Sequence, residues 1–276
     1  MRSRQVRPPG KQARPPGTQA RPLLALLAVL ALLAGCSSGA SGGGTDSGGG
    51  GKDRTLTVLA ASSLTETFGE LAKTFQKQHP GVKVRFSFDS SATLAEQVAQ
   101  GAPADVLATA DTRTMKTVVD AKANDGQPKL FATNTMVLVV PKDNPADIAK
   151  FSDIESPKVS YVMCVVSAPC GALAKTLLDE NKITAKPKSQ EVDVKSVLSK
   201  IQLGEADAGL VYATDAKASS TEVDPVSIPK SGEYINDYPI VALKGSKDAK
   251  LAHDWVDLVL SSKGQQVLRD AGFGGP

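Results

Sequence analysis

From Leu56 onward the apolar residues of this chain alternate between two spacings. Leu56 to Ala61 is a short continuous apolar run, which predicts a buried strand. Leu64, Phe68, Leu71 and Phe75 then recur at steps of 4, 3 and 4, which puts them on one face of a helix. Val82, Val84, Phe86 and Phe88 alternate strictly, the period of a strand, and Leu94 and Val98 return to helical spacing. The alternation continues with strands predicted at 106–110, 136–140, 158–166, around Leu210 and Val211, and at 240–243. Between them lie helices carrying Met115, Val118 and Val119; Leu173, Leu177 and Leu178; Val194, Val197, Leu198 and Ile201; and Leu251, Trp255, Val256 and Val259. Strands alternating with helices predict an α/β protein of mostly parallel sheets covered by helices on both faces. Some 225 residues of such pattern suffice for about two units of ordinary domain size.

The segment before Leu56 has a different character. Six basic residues and no acidic ones fall within the first 35 positions, and Leu23 to Ala34 is an apolar run of twelve, too short for a permanent membrane span. This predicts a signal peptide over 1–35. Leu33, Ala34, Gly35 and Cys36 follow the pattern of a bacterial lipobox, so Cys36 is expected to carry lipid and to hold the protein on the extracytoplasmic face of the cell membrane. Residues 37–51 are almost entirely Gly and Ser, and 36–53 is read as the lipidated end and a flexible tether.

Charge and cysteine content change once that segment is set aside. The formal charge of +3 becomes 26 basic against 29 acidic residues beyond position 35, a balance that does not suit nucleic acid as a partner. Three cysteines with one given to lipid leave Cys164 and Cys170, in an oxidising compartment, as a disulfide that stiffens MCVVSAPCG by about 2 kcal/mol or as two buried thiols. The two histidines, His79 and His253, stand apart from this pair and from each other, which leaves neither a metal centre nor a nucleophile and base to support catalysis. The expectation is a binding protein and not an enzyme, with no cofactor.

Candidate chemistry sits at the strand-to-helix junctions. Ala60-Ala61-Ser62-Ser63 precedes one helix and Asp89-Ser90-Ser91-Ala92-Thr93 another; Ala168-Pro169-Cys170-Gly171 and Asp193-Val194 open two more, and Tyr212 ends a buried strand. A Ser at such a place is most simply a cap for its own helix. Several helix openings aimed at one point would instead form an anion receptor from neutral N–H and O–H donors.

The stretches LTVLAASSLTETF, FDSSATLAEQVAQGAPADVLATAD, PCGALAK and AGLVYATDA resemble the molybdate-binding proteins of bacterial ABC importers, and the resemblance runs over residues 54–274. It implies a two-lobed periplasmic-binding-protein fold (type II) with the ligand in the cleft, one lobe from 54–134 plus 236–276 and the other from 135–235. It further implies Ser63 and Ser91 as hydroxyl and amide ligands of an oxyanion, Cys170 and Val194 as amide ligands, and Tyr212 as a hydroxyl ligand. The implied ligand is molybdate or tungstate, delivered by a monomer to the membrane permease of the importer, with closure of the lobes around it. Cys170 stands where the family commonly has Ala, which an amide contact tolerates, and Asp89 where a small neutral residue is common. A dianion without a proton needs donors only, whereas phosphate brings a proton that needs an acceptor. Asp89 turned inward would therefore admit phosphate; turned outward it leaves sulfate, molybdate and tungstate, which cavity size alone separates.

Overall fold

The computed structural model describes residues 54–276, so the expected signal peptide, Cys36 and the tether lie outside the described residues. The elements in chain order are β1 (Arg54–Ala61), α1 (Thr65–Gln78), β2 (Val82–Asp89), α2 (Ser91–Ala99), β3 (Val106–Ala108), α3 (Thr112–Asp120), β4 (Asn124–Asn134) and β5 (Met136–Pro141). There follow β6 (Tyr161–Cys164), α4 (Pro169–Glu180), β7 (Ser189–Glu191), α5 (Val194–Gln202), β8 (Ala208–Tyr212), α6 (Ala213–Ala218), β9 (Val223–Val226), β10 (Asn236–Leu243), α7 (Ala249–Leu260) and α8 (Ser262–Ala271). A 3-10 turn, Ser62–Leu64, separates β1 from α1.

The strands form two five-stranded sheets, in the orders β2-β1-β3-β10-β4 and β7-β6-β8-β5-β9. In the first, β1 is parallel to β2 and β3, while β10 runs antiparallel to both β3 and β4. The second repeats this plan, with β6 parallel to β7 and β8, and β5 antiparallel to β8 and β9. Each sheet is thus parallel except for one reversed strand. The chain passes from the first sheet to the second between β4 and β5 and returns between β9 and β10.

Burial follows the two spacings read in the sequence. On one face of the first sheet Phe68 and Phe75 of α1 and Trp255 of α7 meet edge to face, with ring centroids 5.5 and 5.3 Å from the indole. On the opposite face Leu59, Leu107 and Val241 pack against Leu94 and Val98 of α2 and Met115 and Val118 of α3. Helices on both faces leave the strand ends as the open positions for a ligand. Some boundaries differ from expectation: β3 stops at Ala108, the strand over 158–166 shortens to Tyr161–Cys164, and β10 begins at Asn236 instead of Ile240. No helix among the described residues is long and apolar enough to cross a membrane.

Candidate functional site

One small cavity lies where the two sheets face each other. Its wall is built by Ser62 and Ser63 after β1, Asp89, Ser90 and Ser91 after β2, Pro169 and Cys170 at the start of α4, Asp193 and Val194 at the start of α5, and Tyr212 at the end of β8, with Ala61 and Ala110. All five residues expected to hold the ligand, Ser63, Ser91, Cys170, Val194 and Tyr212, line this wall, and none is more than 4% exposed. A group bound there is out of bulk water, where hydrogen bonds to charge are strongest. The cavity is small, which suits a compact ion and not a sugar or a peptide.

The helix openings on this cavity are left unfinished. At the Ser62–Leu64 turn, at α2 and at α4 no side chain caps the first N–H groups, whereas α3, α7 and α8 are capped by Asp111, Asp248 and Ser261. The simple reading of the junction serines as caps for their own helices therefore fails. At α4 the first position is Pro169, which has no N–H, so Cys170 supplies the first amide donor. At α5 the Asp193 carboxylate accepts from the Lys195 and Ser196 amides, at 2.8 and 3.1 Å, and leaves the Val194 N–H outside that cap. Uncapped first-turn amides carry the positive end of the helix dipole and await an acceptor.

The hydroxyls are prepared in the same sense. The Ala110 N–H donates to Ser91 Oγ at 2.9 Å, so the serine's own hydrogen is free for another acceptor. Asn236 Nδ2 donates to Tyr212 Oη at 2.7 Å, and an amide nitrogen can only donate, so the Tyr212 hydroxyl keeps its hydrogen to donate, with Tyr238 as a neighbouring acceptor. Asn134 Nδ2 donates to Thr214 Oγ1 at 2.8 Å and reaches Tyr238 Oη at 3.4 Å, and Tyr238 lies 2.9 Å from Ser63 Oγ. Either hydroxyl of the Ser63–Tyr238 pair can donate; in the arrangement where Tyr238 accepts from Asn134 and donates to Ser63, the Ser63 hydrogen is left for the cavity. Burial, and after it the neighbouring Tyr238, pushes the Tyr212 phenol well above its ordinary pKa, and burial does the same to Tyr238, so both remain neutral donors. Asn134, Asn236 and Tyr238 escaped the sequence reading; Asn236 and Asn134 are register partners on β10 and β4, the strands flanking the crossings between sheets.

The cavity wall holds no Lys or Arg, and its two charged residues are acids. Asp193 is occupied as the α5 cap, with Ser196 Oγ donating to its second oxygen at 2.9 Å. Asp89 lines the wall with Oδ1 held by the Ser90 amide at 2.6 Å. Beneath the site Asp215 is fully buried, 3.0 Å from Lys195 Nζ. Burial pushes the Asp215 carboxyl up to about 6 against the pull of Lys195. Desolvation lowers the Lys195 pKa, but Asp215 and Glu66 outweigh it and the net shift is upward.

Cys164 and Cys170 form a disulfide that ties the end of β6 to the first turn of α4. Next to it, Gly171 allows the helix to rest on the preceding loop: a Cβ there would stand 1.9 Å from the Val165 carbonyl oxygen. Among the described residues no cluster of three or more His, Cys, Asp or Glu side chains could hold a metal cation.

Comparison with known proteins places the chain in a family. The family model of bacterial extracellular solute-binding proteins matches residues 56–274. The chain belongs to that family. The molybdate-binding protein ModA of Mycobacterium tuberculosis is 40% identical over 223 residues, 81% of this chain and 85% of that protein. The periplasmic molybdate-binding protein of Azotobacter vinelandii superposes with a TM-score of 0.71 at 21% identity, over 80% of this chain and 99% of that one. The sulfate-binding protein SubI of Mycobacterium tuberculosis gives the same TM-score, 0.71, at 17% identity over 80% of this chain and 86% of that one. The two structural likenesses speak for the fold, and members of this extracellular family are solute-binding proteins.

Proposed function

We propose that this chain captures molybdate, and also tungstate, outside the cytoplasmic membrane and delivers it to the permease of an ABC importer. Residues 54–134 with 236–276 act as one lobe and 135–235 as the other, closing on the ion. The bound oxygens receive hydrogen bonds from the hydroxyls and amides of Ser63 and Ser91, the amides of Cys170 and Val194, and the hydroxyl of Tyr212. The protein works as a monomer, held at the membrane by lipid on Cys36, with no cofactor and no catalytic role.

The observation that carries this reading is the absence of side-chain caps at three helix openings on one cavity, together with the hydroxyls of Ser63, Ser91 and Tyr212 on its wall. A dianion of four oxygens and no proton accepts from all of these donors and leaves none unpaired. Neutral donors bind it without a counter-charge, as helix N-termini do for other oxyanions. The 40% identical relative that is named for molybdate supports the choice of ion.

A second reading, a protonated oxyanion such as phosphate, is favoured by one observation only, the Asp89 carboxylate in the cavity wall. Asp89 is already engaged by the Ser90 amide, which weakens that reading. Calorimetric titration with molybdate, tungstate, sulfate and phosphate separates the two. Tight 1:1 binding of the first two with far weaker binding of the others is expected; binding of phosphate as tight as molybdate would replace the proposal with the second reading.

A further inference from the structure

A charged side chain crosses the cleft beside the anion cavity and takes no part in lining it. Lys195 lies in the first turn of α5, directly after Val194, and its backbone N–H is fixed by Asp193. Its ammonium is 2.8 Å from Glu66 Oε1, on the first turn of α1, and 3.0 Å from the buried Asp215. Glu66 belongs to the helix following β1 of the first sheet, whereas Lys195 and Asp215 flank β8 of the second. The ion pair with Glu66 therefore spans the two halves, while the one with Asp215 lies within one of them. Lys195 also lines a wider recess, with Ser62, Thr65 and Phe88 on one side and Asp193 and Ser196 on the other, which shares Ser62 and Asp193 with the anion cavity. That recess adjoins the site, and Lys195 on its wall pairs with Glu66.

We propose that Lys195 is a positioning residue for anion capture: clasping Glu66 across the cleft, it holds the first turn of α5 against the opposite half and retards escape of the bound ion. The proposal rests on the anion-binding reading above. Asp215 anchors the lysine on its own side, so the ammonium is delivered to the cleft already partly desolvated and restricted, which lowers the cost of forming the second pair. The Val194 amide, one residue away, is carried by the same turn of helix, so the clasp holds that amide in place for the ion. Elsewhere the Arg113 guanidinium, on α3, also joins the two halves by donating to the Ser167 carbonyl at 2.9 Å.

The test uses Glu66→Gln, which removes the charge from the half-exposed partner and leaves the pair of Lys195 with the buried Asp215 intact. The dissociation rate of labelled molybdate from the purified protein should rise about two- to fivefold, the range for one partly exposed ion pair, with the association rate almost unchanged. Lys195→Arg should keep the slow rate and Lys195→Met should lose it. Hydrogen exchange of the ligand-free protein supplies a readout that needs no anion: amides over 62–66 and 194–196 should exchange faster in Glu66→Gln. An unchanged dissociation rate together with unchanged exchange would overturn the clasp. If the unaltered protein binds none of the four oxyanions, the proposed function fails, and the exchange measurement still decides whether Glu66 holds the halves together.

Discussion

Replacing Tyr212 by Phe isolates one donor of the proposed site. The ring stays, still packed against Tyr238 with centroids 6.0 Å apart, and only Oη is lost. Two consequences have different sizes. A bound dianion loses one hydrogen bond in a cavity whose wall residues are buried, and a bond to a charged group contributes about 1.5–3 kcal/mol, so the dissociation constant for molybdate should rise about 10- to 150-fold. The folded protein loses the acceptor of Asn236 Nδ2, whose remaining contact, the Pro169 carbonyl, is at 3.5 Å. Asn236 is half-buried and water can take the vacated place, so the stability loss should stay near 1 kcal/mol, or about 2–4 °C in Tm for a body of this size. Titration calorimetry gives the first quantity and thermal unfolding without ligand the second. Binding within twofold of the unaltered protein would refute the claim that Tyr212 donates to the ion. A loss of binding accompanied by a much larger loss of Tm would mean that the hydroxyl holds the fold and not the ligand.

Other predictions test neighbouring parts of the site. Tyr238→Phe touches no ligand but removes the group that turns the Ser63 hydroxyl, so molybdate binding should weaken by a smaller factor than in Ser63→Ala, and the two changes combined should cost less than their sum; additive losses by calorimetry would break the relay. Gly171→Ala forces a methyl group onto the Val165 carbonyl and must displace either that loop or the first turn of α4, so both Tm and molybdate affinity should fall; a variant as stable and as tight as the original would show that the close approach is not needed. The Asp215 carboxyl, raised to about 6 by burial, binds its proton more readily in the folded than in the unfolded chain. Its contribution to stability is therefore complete at low pH and is lost as pH rises from about 4 through 6, and Asp215→Asn should flatten that part of a stability-against-pH curve; a variant curve with the same slope there would assign the dependence to other groups.

What was legible in the sequence, and what was not, follows from how each element is buried. Leu56 to Ala61, Leu210 and Val211, and the stripes of α1, α5 and α7 are covered by other elements, so their hydrophobic spacing had to agree with their geometry. The strands that escaped notice, β4, β7 and β9, are all sheet edges. Their sequences, NDGQPKLFATN, SQE and VDPV, carry Pro, Gly and polar residues because an edge strand pairs on one side only. The helix α8, SKGQQVLRDA, was hidden by its polar face and by Gly264, which is needed where the helix start meets the carbonyls of Leu258 and Val259. The helix openings on the cavity were legible as junctions in the pattern, and the family resemblance singled out the five residues Ser63, Ser91, Cys170, Val194 and Tyr212 that line its wall. Asn134, Asn236 and Tyr238 could not be found in this way, since their role is to orient hydrogens on other side chains and only the paired register of β4 and β10 brings them together.

The central claim is geometric, so the most direct measurement is a crystal of the protein grown with molybdate and recorded at the molybdenum absorption edge. The account predicts one strong anomalous peak between the two sheets, its oxygens about 3 Å or less from Ser63 Oγ, Ser91 Oγ, Tyr212 Oη and the amide nitrogens of Cys170 and Val194. A peak outside this cavity, or one reached by lysine or arginine side chains in place of these donors, would contradict it.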